Sequence, residues 1–117
     1  MATLGTFEPK GLIAGDFPTV VQEIILTGPV TFLCGDVVAE VDGVHSLVDS
    51  AGAGNAALAV GIICDDIVVD DGITTKANMY IKGEFNHRFL RFGGSDTSDD
   101  HRRRMREIGL IIRETRI

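Results

Sequence analysis

The sequence predicts a mainly β protein with one short α-helix near its C-terminus and an extended N-terminal arm. Three observations carry that prediction. Runs of Val, Ile and Leu of strand length recur between turns rich in glycine and aspartate. Glycine supplies 14 of the 117 residues, well above the ~7% usual in proteins, which favours many turns over long helices. Only the segment between Thr97 and Gly109 carries both start and stop signals for a helix.

Residues 1–19 read differently from the rest. Gly5, Pro9, Gly11, Gly15 and Pro18 interrupt any regular period, because proline removes a backbone donor and glycine weakens both helix and strand. Between them stand Leu4, Phe7, Leu12, Ile13 and Phe17. Two readings fit this segment. It is a frayed terminus, or it is an arm that orders on a partner with those five side chains as anchors. Either way the folded domain is expected to be residues 20–117, and removal of residues 1–18 is expected to leave it folded.

The domain then reads element by element. Residues 20–26 form a strand that turns at Thr27-Gly28-Pro29, and residues 30–33 form a second, ended by Cys34-Gly35-Asp36. Residues 37–41 form a third. Asp42-Gly43 is the tight reversal favoured between hairpin strands, and residues 44–48 pair back. A small-residue loop spans 49–55. Residues 58–64 are almost continuously apolar, as in a strand buried on both faces. Asp65-Asp66 and Asp70-Asp71-Gly72 bracket a short segment at 67–69, and a strand covers 78–82.

In the helix, Thr97 or Ser98 is the N-cap, with Asp100 three residues after Thr97. Asp99 and Asp100 suit the positive end of the helix dipole, while Arg103, Arg104 and Arg106 lie further along. Gly109 falls where a terminating glycine belongs. His101, Met105 and Ile108 form a narrow stripe toward the core. A closing strand follows at 109–113.

Composition and motifs exclude several functions. The chain has the length of one domain, and its net charge of −6 disfavours sequence-independent nucleic-acid binding. No apolar run approaches the ~20 residues that cross a bilayer, and no secretory signal pattern opens the chain, so a cytosol-like compartment is expected. Cys34 and Cys64 sit in apolar contexts and read as small buried hydrophobes. Gly52-Ala53-Gly54-Asn55-Ala56-Ala57 matches a dinucleotide-binding pattern in letters, but lacks the feeding strand and following helix that make it work. Asp65, Asp66, Asp70 and Asp71 have apolar residues in their midst and read as turn residues rather than a calcium loop. His45, His87 and His101 lack zinc-ligand spacing. Arg102, Arg103, Arg104 and Arg106 form the one basic cluster, a solvated helix face or a contact for an acidic protein surface. No catalytic, cofactor or metal site is expected.

Several segments in order, however, resemble one family. They are Val37-Val38-Ala39, Ala59-Val60-Gly61-Ile62-Ile63, Tyr80-Ile81-Lys82-Gly83-Glu84-Phe85, Ser95-Asp96 leading into the helix, and Ile108-Gly109-Leu110-Ile111-Ile112-Arg113. Their order and spacing over residues 28–117 resemble the lambda-type head decoration proteins of tailed phages. That resemblance implies a non-enzymatic, clip-like small β barrel or sheet. It implies homotrimers on the outside of the expanded capsid of a virion assembled in the host cytoplasm, bound to the major capsid protein and touching neither membrane nor nucleic acid directly. It also implies that the arm docks on the shell by adding a strand to a capsid loop, with Leu4, Phe7, Leu12, Ile13 and Phe17 as capsid-binding anchors. The alternatives are another virion or tail component, a small-ligand module, or a trimeric β-fold nucleotide hydrolase such as a dUTPase, whose nucleoside and phosphate motifs are not found here.

Overall fold

A computed structural model describes residues 12–13, 18–52 and 54–113. The strands are β1 (Val20–Thr27), β2 (Val30–Phe32), β3 (Val37–Val41), β4 (Val44–Leu47), β5 (Gly61–Ile63), β6 (Ile67–Val69), β7 (Thr74–Asn86) and β8 (Leu110–Arg113). One helix, α1 (Ser98–Glu107), joins β7 to β8. The main sheet runs β1-β7-β5-β3-β4, with β8 also beside β7, and β2 and β6 form a separate two-stranded ribbon. Pairing is antiparallel except between β7 and β8. The fold is therefore mainly β with one helix near the C-terminus. Of the expected barrel or sheet the structure has the sheet, which does not close, because the terminal strands β1 and β4 are not hydrogen-bonded to each other.

Local chemistry explains most of the elements. Asp42 (φ 51°) and Gly43 (φ 83°) both take left-handed backbone, which matches a two-residue hairpin turn and sets Val41 opposite Val44. The strands expected at residues 20–26 and 30–33 follow one another in sequence but do not pair. Instead β1 pairs along its length with β7, and β2 crosses to β6. Strand β7 is also longer than the expected 78–82, because Thr74-Thr75-Lys76-Ala77 pairs with the second half of β1 without an apolar period to announce it.

The sheet is covered on both faces. On one face Val38, Ile63, Met79, Ile24 and Leu26 pack under Phe32 and Val69 of the ribbon. On the other, Val37, Ala39 and Ile62 meet Phe85, Met105, Leu110 and Ile112. Strands β3 and β5 thus bury successive side chains on opposite faces, which accounts for the unbroken apolar run around β5.

Helix α1 begins as its sequence dictates. The Thr97 N–H donates to Asp100 Oδ2 at 2.7 Å, the return half of a capping box, and Gly109 (φ 97°) follows the last turn. His101 and Met105 are buried. The helix provides the crossover that a parallel strand pair needs, and it sets Leu110–Arg113 against Gly83–Asn86.

The arm boundary needs correction. Leu12 is 0% exposed and packs in the same cluster as Phe85. Its carbonyl accepts the Asn86 N–H at 2.7 Å, and Ile13 bridges antiparallel to Phe85. Because N–H groups alternate along a strand, and Gly83 N–H goes to Gly109, Leu12 and β8 hold opposite edges of the β7 end. Residues 12 and 13 therefore belong to the folded domain. Leu4, Phe7 and Phe17 lie outside the described residues.

Candidate functional site

Catalysis needs a polar group that is positioned yet unspent, and the buried Asp36 and His101 are both spent on partners within the chain. Asp36, buried at the turn before β3, accepts the Leu33 N–H at 2.8 Å. It also takes a two-pronged contact from Arg91, at 2.5 Å from Nε and 3.0 Å from Nη2. Asp96 and His101 form a second cluster, with 2.6 Å between Asp96 Oδ2 and His101 Nε2.

Ser50 completes this cluster, donating its N–H to Asp96 Oδ2 at 2.6 Å and its hydroxyl to Oδ1 at 2.7 Å. A serine, a histidine and an aspartate are together, but in the wrong order for a nucleophile. The hydroxyl is aimed at the carboxylate rather than at the imidazole that would have to take its proton. The bonds from Ser50, then that from His101, hold the Asp96 carboxyl below its usual range. The imidazole also stacks on Phe92, with ring centres 5.2 Å apart. These groups pin the 49–52 loop and the 92–96 segment to α1. Sequence reasoning placed Asp96 in a turn and His101 on the core stripe without joining them.

A cleft of about 520 Å³ lies beside them, between 87–92 and the first turn of α1. Its ionic groups are already committed. Arg91 holds Asp36, Asp96 holds His101, and Arg102 reaches the Ile112 carbonyl at 3.1 Å and Asp99 at 3.5 Å. Among the described residues no group of three His, Cys, Asp or Glu side chains is placed to hold a metal ion.

The cysteines form no disulfide. Burial pushes the Cys64 thiol up to about 12, with the Asp65 carboxylate adding to the effect and a bond from Tyr80 opposing it. Tyr80 is raised in turn, again chiefly by burial. A shift from 9.0 to about 12 lowers the thiolate population near pH 8 on the order of a thousandfold. Cys64 is expected to resist a thiol-exchange reagent at pH 8 in the native protein and to react fully in denaturant. Rapid native labelling of Cys64 would contradict this burial.

The arginine cluster does not act as one face. Arg104 Nε donates to the Ala59 carbonyl at 3.2 Å, and Arg102 is tied to β8 as above, so both serve the chain's own fold. Arg103, paired with Glu107 at 3.6 Å, and Arg106 are the exposed members. The reason is geometric: consecutive helical residues are rotated by about 100°, so adjacent arginines diverge.

What remains outward-facing is apolar as well as charged. Val44 is 67% and Val68 70% exposed, and Ile25 and Ile73 are each more than half exposed. Large exposed apolar side chains gathered in patches mark contact surfaces. In the sequence Ile25, Val44 and Val68 fall on expected strand segments, and alternation alone does not tell which strand face a second layer covers. No known protein-family model matches the chain, and no curated protein is significantly similar to it.

Proposed function

We propose that this chain is a capsid decoration protein of a tailed phage. It binds the outside of the expanded head, as homotrimers at three-fold positions, and holds neighbouring major capsid subunits against the pressure of packaged DNA. The observation that carries this reading is spatial. The two longest segments that resemble the decoration family, Tyr80–Phe85 and Ile108–Arg113, are far apart in sequence yet meet as the paired strands β7 and β8. Their join is sealed by Phe85, Leu110 and Ile112 in one core cluster. A shared core of this kind is what a common fold would preserve.

The polar chemistry agrees with a structural role, because the buried charges pair internally and the outward surface offers valines and isoleucines. In this reading residues 1–11, which precede the anchored Leu12, reach a neighbouring shell subunit through Leu4 and Phe7. Multivalent attachment through three such segments turns weak contacts into a slowly released clamp.

The test is the molar ratio of this chain to the major capsid protein in purified, DNA-filled particles. An equimolar ratio is expected, one copy for each quasi-equivalent shell position. A few copies per particle would instead assign the chain to the tail or a minor component. Absence from particles would remove the virion reading.

A further inference from the structure

The ends of the main sheet curl toward each other without joining. Strands β1 and β4 lie against one another, but β1 is paired only to β7 and β4 only to β3 among the described residues. A groove of about 340 Å³ opens between them. Its apolar lining is Ile24, Ile25, Val60, Met79 and Ile81, and its polar lining includes Glu23, Glu40 and His45.

Two of these polar groups lack partners. Glu40 and His45 are directly opposed across the β3–β4 hairpin. The Glu40 side chain is exposed and makes no hydrogen bond or ion pair among the described residues. The Nδ1 atom of His45 is buried and also has no partner, an arrangement that costs free energy until one arrives. Glu23 has only a loose contact with Lys76, 4.0 Å between two exposed side chains, which water screens. Arg104 borders Glu40 from the adjoining hollow, but its Nε is committed to the Ala59 carbonyl.

We propose that this groove receives a lysine or arginine side chain from an extended segment of a partner protein. A long basic side chain matches the lining end to end. Its methylene stem lies along Val60, Met79 and Ile81, and its cationic head reaches Glu40 and donates to His45 Nδ1, with the ring in the tautomer that carries its proton on Nε2. An anion meets two carboxylates there, and a neutral apolar side chain leaves both acceptors unanswered. The partner segment is extended because the unpaired edges of β1 and β4 present backbone groups that bind strands. Beside the groove, the exposed Ile25 and Val44 flank a smaller hollow where apolar neighbours of the basic residue are covered. The inference holds whether or not the chain decorates a capsid.

The test is a titration of the full-length, nitrogen-15-labelled protein with two short blocked peptides of alternating threonine and valine. One carries a central lysine, the other a central glutamate. The lysine peptide is expected to shift amide resonances of residues 22–25 and 43–45, less so as salt is added. Glu40→Gln, a change at an exposed position, is expected to weaken that binding on the order of tenfold, as loss of a charged hydrogen-bond partner does. His45→Phe is expected to weaken it independently. No shift, shifts elsewhere, or an equal response to the glutamate peptide would overturn the proposal. So would groove resonances that move on Lys10→Gln without any peptide, since the occupant would then be the chain's own terminus.

Discussion

Asp36→Ala is expected to lower the unfolding free energy by about 3 kcal/mol, the lower end of what removing one partner of a buried ion pair does. Asp36 is 0% exposed and joins three parts of the chain. It accepts the Leu33 N–H at the end of β2, and it holds Arg91, which lies 55 positions later. Its backbone carbonyl takes the Ile63 N–H from β5 at 2.8 Å. Without the side chain, the Leu33 N–H loses its acceptor, and an unsatisfied buried donor is costly. Arg91 is half exposed and turns to water, which sets the lower end of the range. Arg91→Ala leaves the opposite fault, a buried carboxylate with one donor, so its loss is expected to be at least as large. The double variant is expected to be more stable than the sum of the two losses predicts. Denaturant midpoints at constant slope measure all three. An Asp36→Ala protein within about 1 kcal/mol of the parent, less than one ordinary net hydrogen bond at its upper range, would mean that this carboxylate does not hold the turn.

Such a pair was not legible beforehand, and the reason separates what a sequence states from what a fold decides. Asp42-Gly43 and the span from Thr97 to Gly109 were legible because each obeys a local rule: positive φ in one case, end-capping in the other. The double burial of β5 was legible because an apolar run has one physical meaning at strand length. Tertiary choices had no such marker. β2 and β6 are three residues each, too short for their pattern to name a partner, so nothing in the sequence announces that β2 crosses to β6. The polar start of β7 looks like loop until β1 is laid beside it. The arginines after position 101 looked like a face because they are adjacent in sequence, whereas a helix spreads them. Glu40 and His45 become a groove only when the sheet curls, and no periodicity reports curl. Five apolar residues among prolines and glycines suggested anchors for a partner, yet one of them found its pocket at home.

That residue gives the second large effect. Leu12→Ala is expected to destabilise the domain by about 2–5 kcal/mol, as truncation of a fully buried leucine does when the cavity cannot collapse. The site has little room to adjust, because Leu12 is clustered with Phe85 and Val37 and its own carbonyl is fixed to Asn86. A residue acting only as a shell anchor behaves oppositely: its loss weakens attachment and leaves the free domain untouched. Truncation separates the two roles along the chain. Removal of residues 1–11 is expected to keep the denaturation midpoint of the parent while abolishing capsid attachment, so that the arm's function is read apart from its fold. Removal of residues 1–18 is expected to lower the midpoint as well, since the bond to Asn86 and the Ile13 bridge to Phe85 go with the Leu12 side chain. If both truncations leave the midpoint unchanged and Leu12→Ala does too, Leu12 returns to the arm and the β7 edge beyond Lys82 is held by β8 alone.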